Sequence, residues 1–212
     1  MRPRILDLFS GAGGAAMGYY RAGFDVVGVD IAPMPHYPFE FHQADALEYC
    51  AEHGREFDAI HASPPCQRYS ESTSERCRKN HPDLIGPTRN ALLATGRPFV
   101  IENVEGAIGE LINPIKLCGT QFGLPIWRHR LFECPAIKFF LVPPCKHIGR
   151  PILITGMGST PRKDKGNLRY KSPIAEKRVA IGIDWMTTHE ITEAIPPAYT
   201  EFIGKYLLEV LL

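Results

Sequence analysis

Apolar and polar residues fall in blocks along this chain, and the blocks read as strands and helices of an α/β protein. Arg4-Ile5-Leu6-Asp7-Leu8-Phe9 is short and mostly apolar, which predicts a buried strand. Ser10-Gly11-Ala12-Gly13-Gly14 then turns the chain into a helix that runs through Arg21. Residues 24–30 form a second strand, Phe41-His42-Gln43-Ala44-Asp45 a short third one, and 46–53 a helix. Phe57-Asp58-Ala59-Ile60-His61 leads a fourth strand that ends at Ser63. Beyond a polar stretch at 70–81, the pattern predicts a helix over 83–95 and a fifth strand over 97–104. Residues 117–123 and 128–133 read as a terminal strand pair, on which Arg128 and Arg130 share one face. Ile195-Pro196-Pro197-Ala198 opens a last helix, with Tyr199, Phe202, Ile203, Tyr206, Leu207, Val210 and Leu211 at helical spacing. Strands alternating with helices predict a doubly wound, mostly parallel sheet.

The chemistry gathers at strand ends. The fourth strand runs into Ala62-Ser63-Pro64-Pro65-Cys66-Gln67-Arg68-Tyr69-Ser70. Prolines lack backbone N–H donors and restrict the residues before them, so they stop the strand and hold Cys66 outward beyond its carboxyl end. Alone, a Pro-Cys pair is more often a small buried residue than a nucleophile. The glycine turn after the first strand lets backbone approach a ligand. Asp30 ends the second strand about 20 residues later, where doubly wound folds hold a ribose hydroxyl pair. The two together point to a nucleoside-containing cofactor. Asp45 suits either the exocyclic amine of an adenine or the N-cap of the following helix. In a parallel sheet Glu102 emerges on the same edge as Cys66. The polar run at 70–81 lacks apolar periodicity and reads as a mobile loop, a candidate lid.

Composition refines this picture. A chain of 212 residues has room for one α/β domain and a small appendage. Six cysteines without a framework spacing imply free thiols in a reducing cytoplasm. No signal peptide is expected at the N-terminus, and no stretch is long and apolar enough for a membrane span. The net charge of +1 is uneven: residues 138–178 hold ten Lys/Arg against Asp164 and Glu176, leaving +8 there and −7 elsewhere. A basic appendage on an acidic body suggests a polyanionic partner, although a solvated lysine-rich loop looks the same. The expected division is a catalytic domain of 1–138 and 190–212, with a small irregular basic segment over 139–189. Cys134, Cys145 and His147 make a three-ligand set without a paired-cysteine knuckle, poor support for zinc, and no metal is expected.

In that order, the motifs resemble those of the DNA cytosine-5 methyltransferases nearly from end to end. The matching stretches are Asp7-Leu8-Phe9-Ser10-Gly11-Ala12-Gly13-Gly14, the strand-end Asp30 and Asp45, Pro64-Pro65-Cys66-Gln67, Glu102-Asn103-Val104, Arg128-His129-Arg130 and the closing Ile195-Pro196-Pro197 helix. The resemblance is closest to compact, often phage-encoded members. It implies a Rossmann-like methyltransferase fold that binds S-adenosylmethionine through Phe9, Ser10, Gly11, Gly13, Asp30, Ile31, Asp45, Ala46 and Pro64. It implies that Cys66 attacks carbon 6 of a flipped-out cytosine in double-stranded DNA, that Glu102 bonds N3 and the amino group, and that Arg128 and Arg130 engage the carbonyl oxygen. A bacterial or phage-infected cytoplasm is the implied location.

The chemistry needs those residue types. Carbon 5 of cytosine is a poor nucleophile, and addition at carbon 6 makes it part of an enamine. An acid beside N3 must have a raised pKa, and nearby arginines are expected to favour the thiolate. Three departures from the family pattern stand out. Ile126 replaces the usual Gln before Arg-x-Arg, Thr192-Glu193 replaces a Gly-Asn, and the region between Arg130 and the last helix is short for a target-recognition domain. Such a stub implies a short or relaxed target, its cations acting mainly on phosphates. Rival readings are the same chemistry on tRNA, exocyclic amino-group methylation, and a silent nucleic-acid-binding protein. Cys66 stands where the amino-group enzymes need an aromatic ring, and Cys66, Glu102 and both arginines argue against silence.

Overall fold

A computed structural model describes residues 1–70, 73–154 and 172–212. Its sheet contains β1 (Arg4–Leu8), β2 (Asp25–Asp30), β3 (Glu40–Gln43), β4 (Ala59–Ala62), β5 (Phe99–Asn103), β6 (Ile115–Leu117) and β7 (Arg130–Glu133). The strand order is β3-β2-β1-β4-β5-β7-β6. Strands β1 to β5 pair in parallel, and β7 runs antiparallel to both β5 and β6. The central strands β4 and β5 are buried throughout, which is why they read as apolar runs without clean alternation.

Successive side chains on a strand point to opposite faces, and each face has its own cover. Ile5, Ala59 and Val100 face a cluster with Tyr19, Phe24, Tyr199, Ile203 and Leu207. These come from α1 (Gly14–Ala22), the turn after it, and α7 (Pro197–Leu211). Leu6, Ile60 and Ile101 face Cys50, Phe57, Ile85 and Leu92 on the other side, under α2 (Ala46–His53) and α4 (Ile85–Thr95). The doubly wound α/β fold follows from these two apolar layers. The short helices are α3 (Glu75–Arg78), α5 (Ile174–Ile181) and α6 (Thr188–Glu193). A third small cluster joins Ala180, Ile181, Ile183, Met186 and Ile191 to Ala12 and Ile126. Among the described residues, no helix is long and apolar enough to cross a membrane.

Several boundaries differ from those the sequence predicts, each for a local reason. β3 ends at Gln43, because Asp45 turns its carboxylate onto the amides of Leu47 and Glu48 and starts α2. The stretch 117–123 is not one strand: β6 ends at Leu117, and Gly119–Phe122 is a 3₁₀ turn. Gln121 Oε1 accepts the Cys118 amide at 2.6 Å and closes that turn. Arg128 precedes β7, so the two arginines do not share a strand face. The polar run at 70–81 carries α3, and Arg78 Nε donates to the carbonyls of Ser70 and Thr73; residues 71 and 72 of that expected lid lie outside the described residues.

Of the ten cations counted between 138 and 178, Arg162, Lys163, Lys165, Arg169 and Lys171 also lie outside the described residues. Two others are structural. Lys177 is buried with its Nζ toward the Ile154 carbonyl, and the Arg178 guanidinium donates twice to the Met186 carbonyl.

Helices α1 and α7 pack closely against each other. A Cβ on Gly18 would sit well inside contact distance of Thr200 Oγ1 and the Pro197 carbonyl. Thr200 Oγ1 in turn donates to the Ala15 carbonyl at 2.8 Å. A Gly18→Ala substitution should therefore force the helices apart and destabilise the protein by about 1–3 kcal/mol. Gly86, in the first turn of α4, has nothing within 4 Å of an added Cβ. Gly86→Ala should stabilise by roughly 0.5–1 kcal/mol. Urea titrations of the two variants check both signs.

Candidate active site

The carboxyl ends of β1, β2, β3, β4 and β5 share one edge of the sheet. At the β1 end, Phe9 and Gly11 both hold positive φ, 55° and 49°, and Gly13 caps α1 in the left-handed region. Phe9 in that region is strained, and such strain gathers at ligand sites. A Cβ added to Gly11 would meet nothing within 4 Å, so the turn keeps an open face. Ser10 is buried, its amide on the Val29 carbonyl at 3.1 Å. Trp185 Nε1 donates to the Ala12 carbonyl at 2.9 Å, tying the segment before α6 to the same turn.

Asp30 organises the next strand end. Its Oδ2 accepts the Gly11 amide and its Oδ1 the Ala32 amide, both at 3.0 Å. Each oxygen keeps a lone pair for a further donor. Ile31 beside it is an exposed apolar side chain, 72% accessible. The Ala44 amide donates to the Asp30 carbonyl at 3.1 Å, which brings Asp45 alongside. Both amides that Asp45 caps bond its Oδ1, so Oδ2 has no partner among the described residues. Ala46 packs its methyl into the core under α2 and offers this edge only backbone.

The fourth strand end delivers the Pro-Pro-Cys turn. The Cys66 carbonyl accepts the amides of Tyr69 and Ser70, both at 2.9 Å, so the chain curls back and leaves the thiol half-buried. Pro64 is buried and its carbonyl accepts Asn103 Nδ2 at 2.9 Å. Asn103 Oδ1 accepts the Val104 amide, so one side chain fixes both the β4 and the β5 exits.

Glu102 is buried on β5. Arg130 Nε lies 2.9 Å from its Oε1. The N–H is not aimed at that oxygen, which accepts no hydrogen bond among the described residues. Burial raises the Glu102 pKa above the ordinary carboxylate value, against the pull of Arg130, Arg128 and a hydrogen bond from Ser63. Behind Ser63 the network continues inward. Ser63 Oγ bonds His61 Nε2 at 2.9 Å, and His61 Nδ1 bonds Tyr19 Oη at 3.0 Å. His61 is fully buried, its pKa pushed down to about 3, so the ring is neutral.

Arg128 is buried too. Its Nη2 donates to the Thr192 carbonyl at 2.8 Å, its own carbonyl accepts the Tyr199 hydroxyl, and its Nε has no partner among the described residues. Burial and the neighbouring Arg130 lower its pKa to about 9. Cys66 titrates within the field of all three groups. Burial and Glu102 raise its pKa by more than Arg130 and Arg128 lower it. The arginines therefore do not hold a thiolate in the free protein, contrary to the sequence-based expectation: removing the thiol from water outweighs them. Beside the arginines lies a cavity of about 250 Å³, lined by Ser70, Trp127, Arg128, Arg130, Ile152 and Ile154 among others.

The edge thus brings Phe9, Gly11, Asp30, Asp45, Pro64, Cys66 and Glu102 together, with the two arginines reaching in from the chain around β7. His61, Ser63 and Asn103 support it, and the sequence pattern assigns them no role. Asn103 and Ser63 each sit one step from a recognised motif position. His61 offers no local signal, because its partners come from α1 and the β4 exit.

Comparisons with known proteins place the chain in a family. The family model described as C-5 cytosine-specific DNA methylase matches residues 3–111. A predicted type II methyltransferase of Oceanobacillus iheyensis is 26% identical over 264 residues, covering 96% of this chain and 56% of that protein. The type II methyltransferase M.AquIA of Picosynechococcus sp. is 27% identical over 180 residues, 62% of this chain and 71% of the relative. The chain thus spans little more than half the length of the Oceanobacillus relative. In fold, it superposes on a predicted DNA modification methyltransferase encoded within an E. coli prophage, with a TM-score of 0.64 at 18% identity over 99% of both chains. The matched residues 3–111 cover more than half of the chain and run from β1 past the Pro-Pro-Cys turn, Glu102 and Asn103; this protein belongs to the C-5 cytosine-specific DNA methylase family.

Proposed function

We propose that the protein methylates carbon 5 of cytosine in double-stranded DNA, through a transient bond between Cys66 and carbon 6 of a base swung out of the duplex. The observation that carries this reading is a half-buried thiol in the field of a buried carboxyl and two arginines, with Glu102 Oε1, ion-paired to Arg130, and Arg128 Nε both lacking a hydrogen-bond partner among the described residues. Buried polar atoms without partners are costly, and a hydrogen-bonding ring entering the site would relieve both.

The strand-end residues fit S-adenosylmethionine. The open face at Gly11 leaves room for a ligand against backbone, Asp30 can accept from two ribose hydroxyls, and Asp45 Oδ2 can accept from the adenine amine. Phe9, Ser10, Gly13, Ile31, Ala46 and Pro64 complete the cradle. When bound, the cofactor supplies an electrophilic methyl group on a sulfonium.

The chain's own residues do the rest. Cys66 gives its proton to water and bonds to carbon 6, and the electron pair displaced from the 5,6 double bond makes carbon 5 nucleophilic. Glu102, held toward its protonated form by burial, donates at N3 as charge builds there. Arg128 and Arg130 offset charge at the ring's carbonyl oxygen. After methylation, water takes the carbon 5 proton, its electron pair restores the 5,6 double bond, the carbon–sulfur bond breaks to return Cys66 as a thiolate, and N3 gives its proton back to Glu102. Extruding the base costs roughly a few kcal/mol. The segment 70–81 is the candidate lid, since Ser70 lines the cavity. Residues 139–189 serve as a reduced target-recognition segment, and the enzyme works in a bacterial or phage-infected cytoplasm.

Incubation with labelled S-adenosylmethionine and mixed-sequence DNA, followed by hydrolysis to nucleosides, should yield 5-methylcytosine. Label on an exocyclic nitrogen, or none, would overturn the reading. Cys66→Ala should cut transfer at least about a thousand-fold while cofactor binding, followed by calorimetry, persists.

The thiol's environment makes a second test. Cys66 should alkylate more slowly near neutral pH than the exposed Cys77, because its pKa is raised. Glu102→Gln removes a charge that raises that pKa, so the alkylation profile should move to lower pH. Arg130→Gln removes one that lowers it, so the profile should move to higher pH. Mass spectrometry of the Cys66 peptide across pH reads both shifts; two unmoved profiles would mean that these groups do not share a site.

A further inference from the structure

Four side chains that the reaction does not use converge behind the arginine pair. Cys118 follows β6, His129 lies between Arg128 and Arg130, and Cys145 and His147 lie on the chain beyond β7. One ligand atom from each falls within 4.8 Å of all the others. Cys118 Sγ is 3.4 Å from His147 Nε2, and Cys145 Sγ is 3.9 Å from His129 Nε2. A tetrahedral zinc with bonds of about 2.3 Å to sulfur and 2.0–2.1 Å to nitrogen separates such S and N atoms by roughly 3.5 Å. Cys134, which the sequence sets beside Cys145 and His147, is buried in the cluster under α1 and α7 and takes no part.

We propose that Cys118, His129, Cys145 and His147 bind one structural zinc ion, which staples the chain after β7 to the sheet edge and fixes the backbone between the two arginines. Two thiolates and two imidazoles form a donor set for a borderline-soft ion rather than for calcium or magnesium. The surroundings support ligation independently. Glu105 Oε2 lies 3.1 Å from His129 Nδ1, the carboxylate–histidine arrangement that orients a ligating ring by its far nitrogen. Thr120 Oγ1 donates to Cys118 Sγ at 3.4 Å and accepts the Lys146 amide at 3.1 Å, linking the two cysteine-bearing segments. Trp127 stacks on His147 with ring centroids 4.7 Å apart and planes 15° from parallel.

The site has something to hold. Residues 139–154 form no helix or strand, so few backbone bonds fix their course. Closing the loop from 118 to 147 through a metal limits the alternatives of that stretch. His129 is the link to chemistry, because its carbonyl accepts Arg130 Nη1 at 2.8 Å. Trp127 and His129 also form part of the cavity wall. The zinc would thus act as a positioning element, remote from the reacting atoms.

The test is elemental analysis of the full chain purified under reducing conditions without chelator. About one zinc per chain is expected, with content falling below about a tenth in Cys145→Ser and in His147→Ala. Both of those side chains are exposed, so the variants should still fold, which circular dichroism verifies. Cys77→Ser, outside the cluster, should keep its zinc. Cobalt substituted into the wild type should show the intense visible bands and thiolate charge transfer of a tetrahedral S₂N₂ site, absent from the Cys145→Ser variant. Folded wild type without stoichiometric zinc, or zinc retained in both ligand variants, would each overturn the proposal. None of these readouts depends on methyl transfer.

Discussion

The parallel pairing of β4 with β5 is the constraint from which the site follows. Ala62 stands opposite Ile101, so the two strands leave the sheet side by side, one into Pro64-Pro65-Cys66 and the other through Glu102 and Asn103. The Asn103 amide then fastens the Pro64 carbonyl and turns two neighbouring exits into one rigid unit. A hydrogen bond inside a buried edge is worth only about 0.5–1.5 kcal/mol net. Its geometric effect is larger, since it sets where the thiol stands relative to the carboxyl on the adjacent strand.

Burial decides the electrostatics there. Glu102 and Cys66 both titrate above their ordinary values despite two nearby guanidinium groups. Burial shifts both groups of the free site toward their neutral forms. Arg128 bears the same cost with opposite sign, its cation weakened by burial and by Arg130. Its position is fixed by carbonyl and hydroxyl groups of Thr192 and Tyr199, far along the chain.

Much of this was legible in the sequence. β1, β2, β4 and β5 were visible because buried parallel strands are unbroken apolar runs, and the strand-end acids follow from their boundaries. The sequence pattern carries the third strand too far, because a capping aspartate and a strand-end aspartate look alike before the backbone is known. The 3₁₀ turn after β6 was hidden because it depends on Gln121 folding back onto the Cys118 amide. The charge tally over 138–178 also misled in part. Lys177 and Arg178 count as cations in a sequence, yet both spend their donors on backbone carbonyls within the fold. The Cys–His cluster has no paired-cysteine spacing, and its four members meet only because β6, β7 and the chain beyond them fold together.

The clasp between α1 and α7 bears on the order in which the site is assembled. α1 begins at the glycine turn, whereas the residue that holds the Arg128 carbonyl is Tyr199. A chain emerging from the ribosome will have released its thiol, its carboxyl and its glycine turn long before Tyr199 and Thr200 appear. Until they dock, the first helix lacks its cover and the arginine its anchor, so the site is completed only when the last helix arrives.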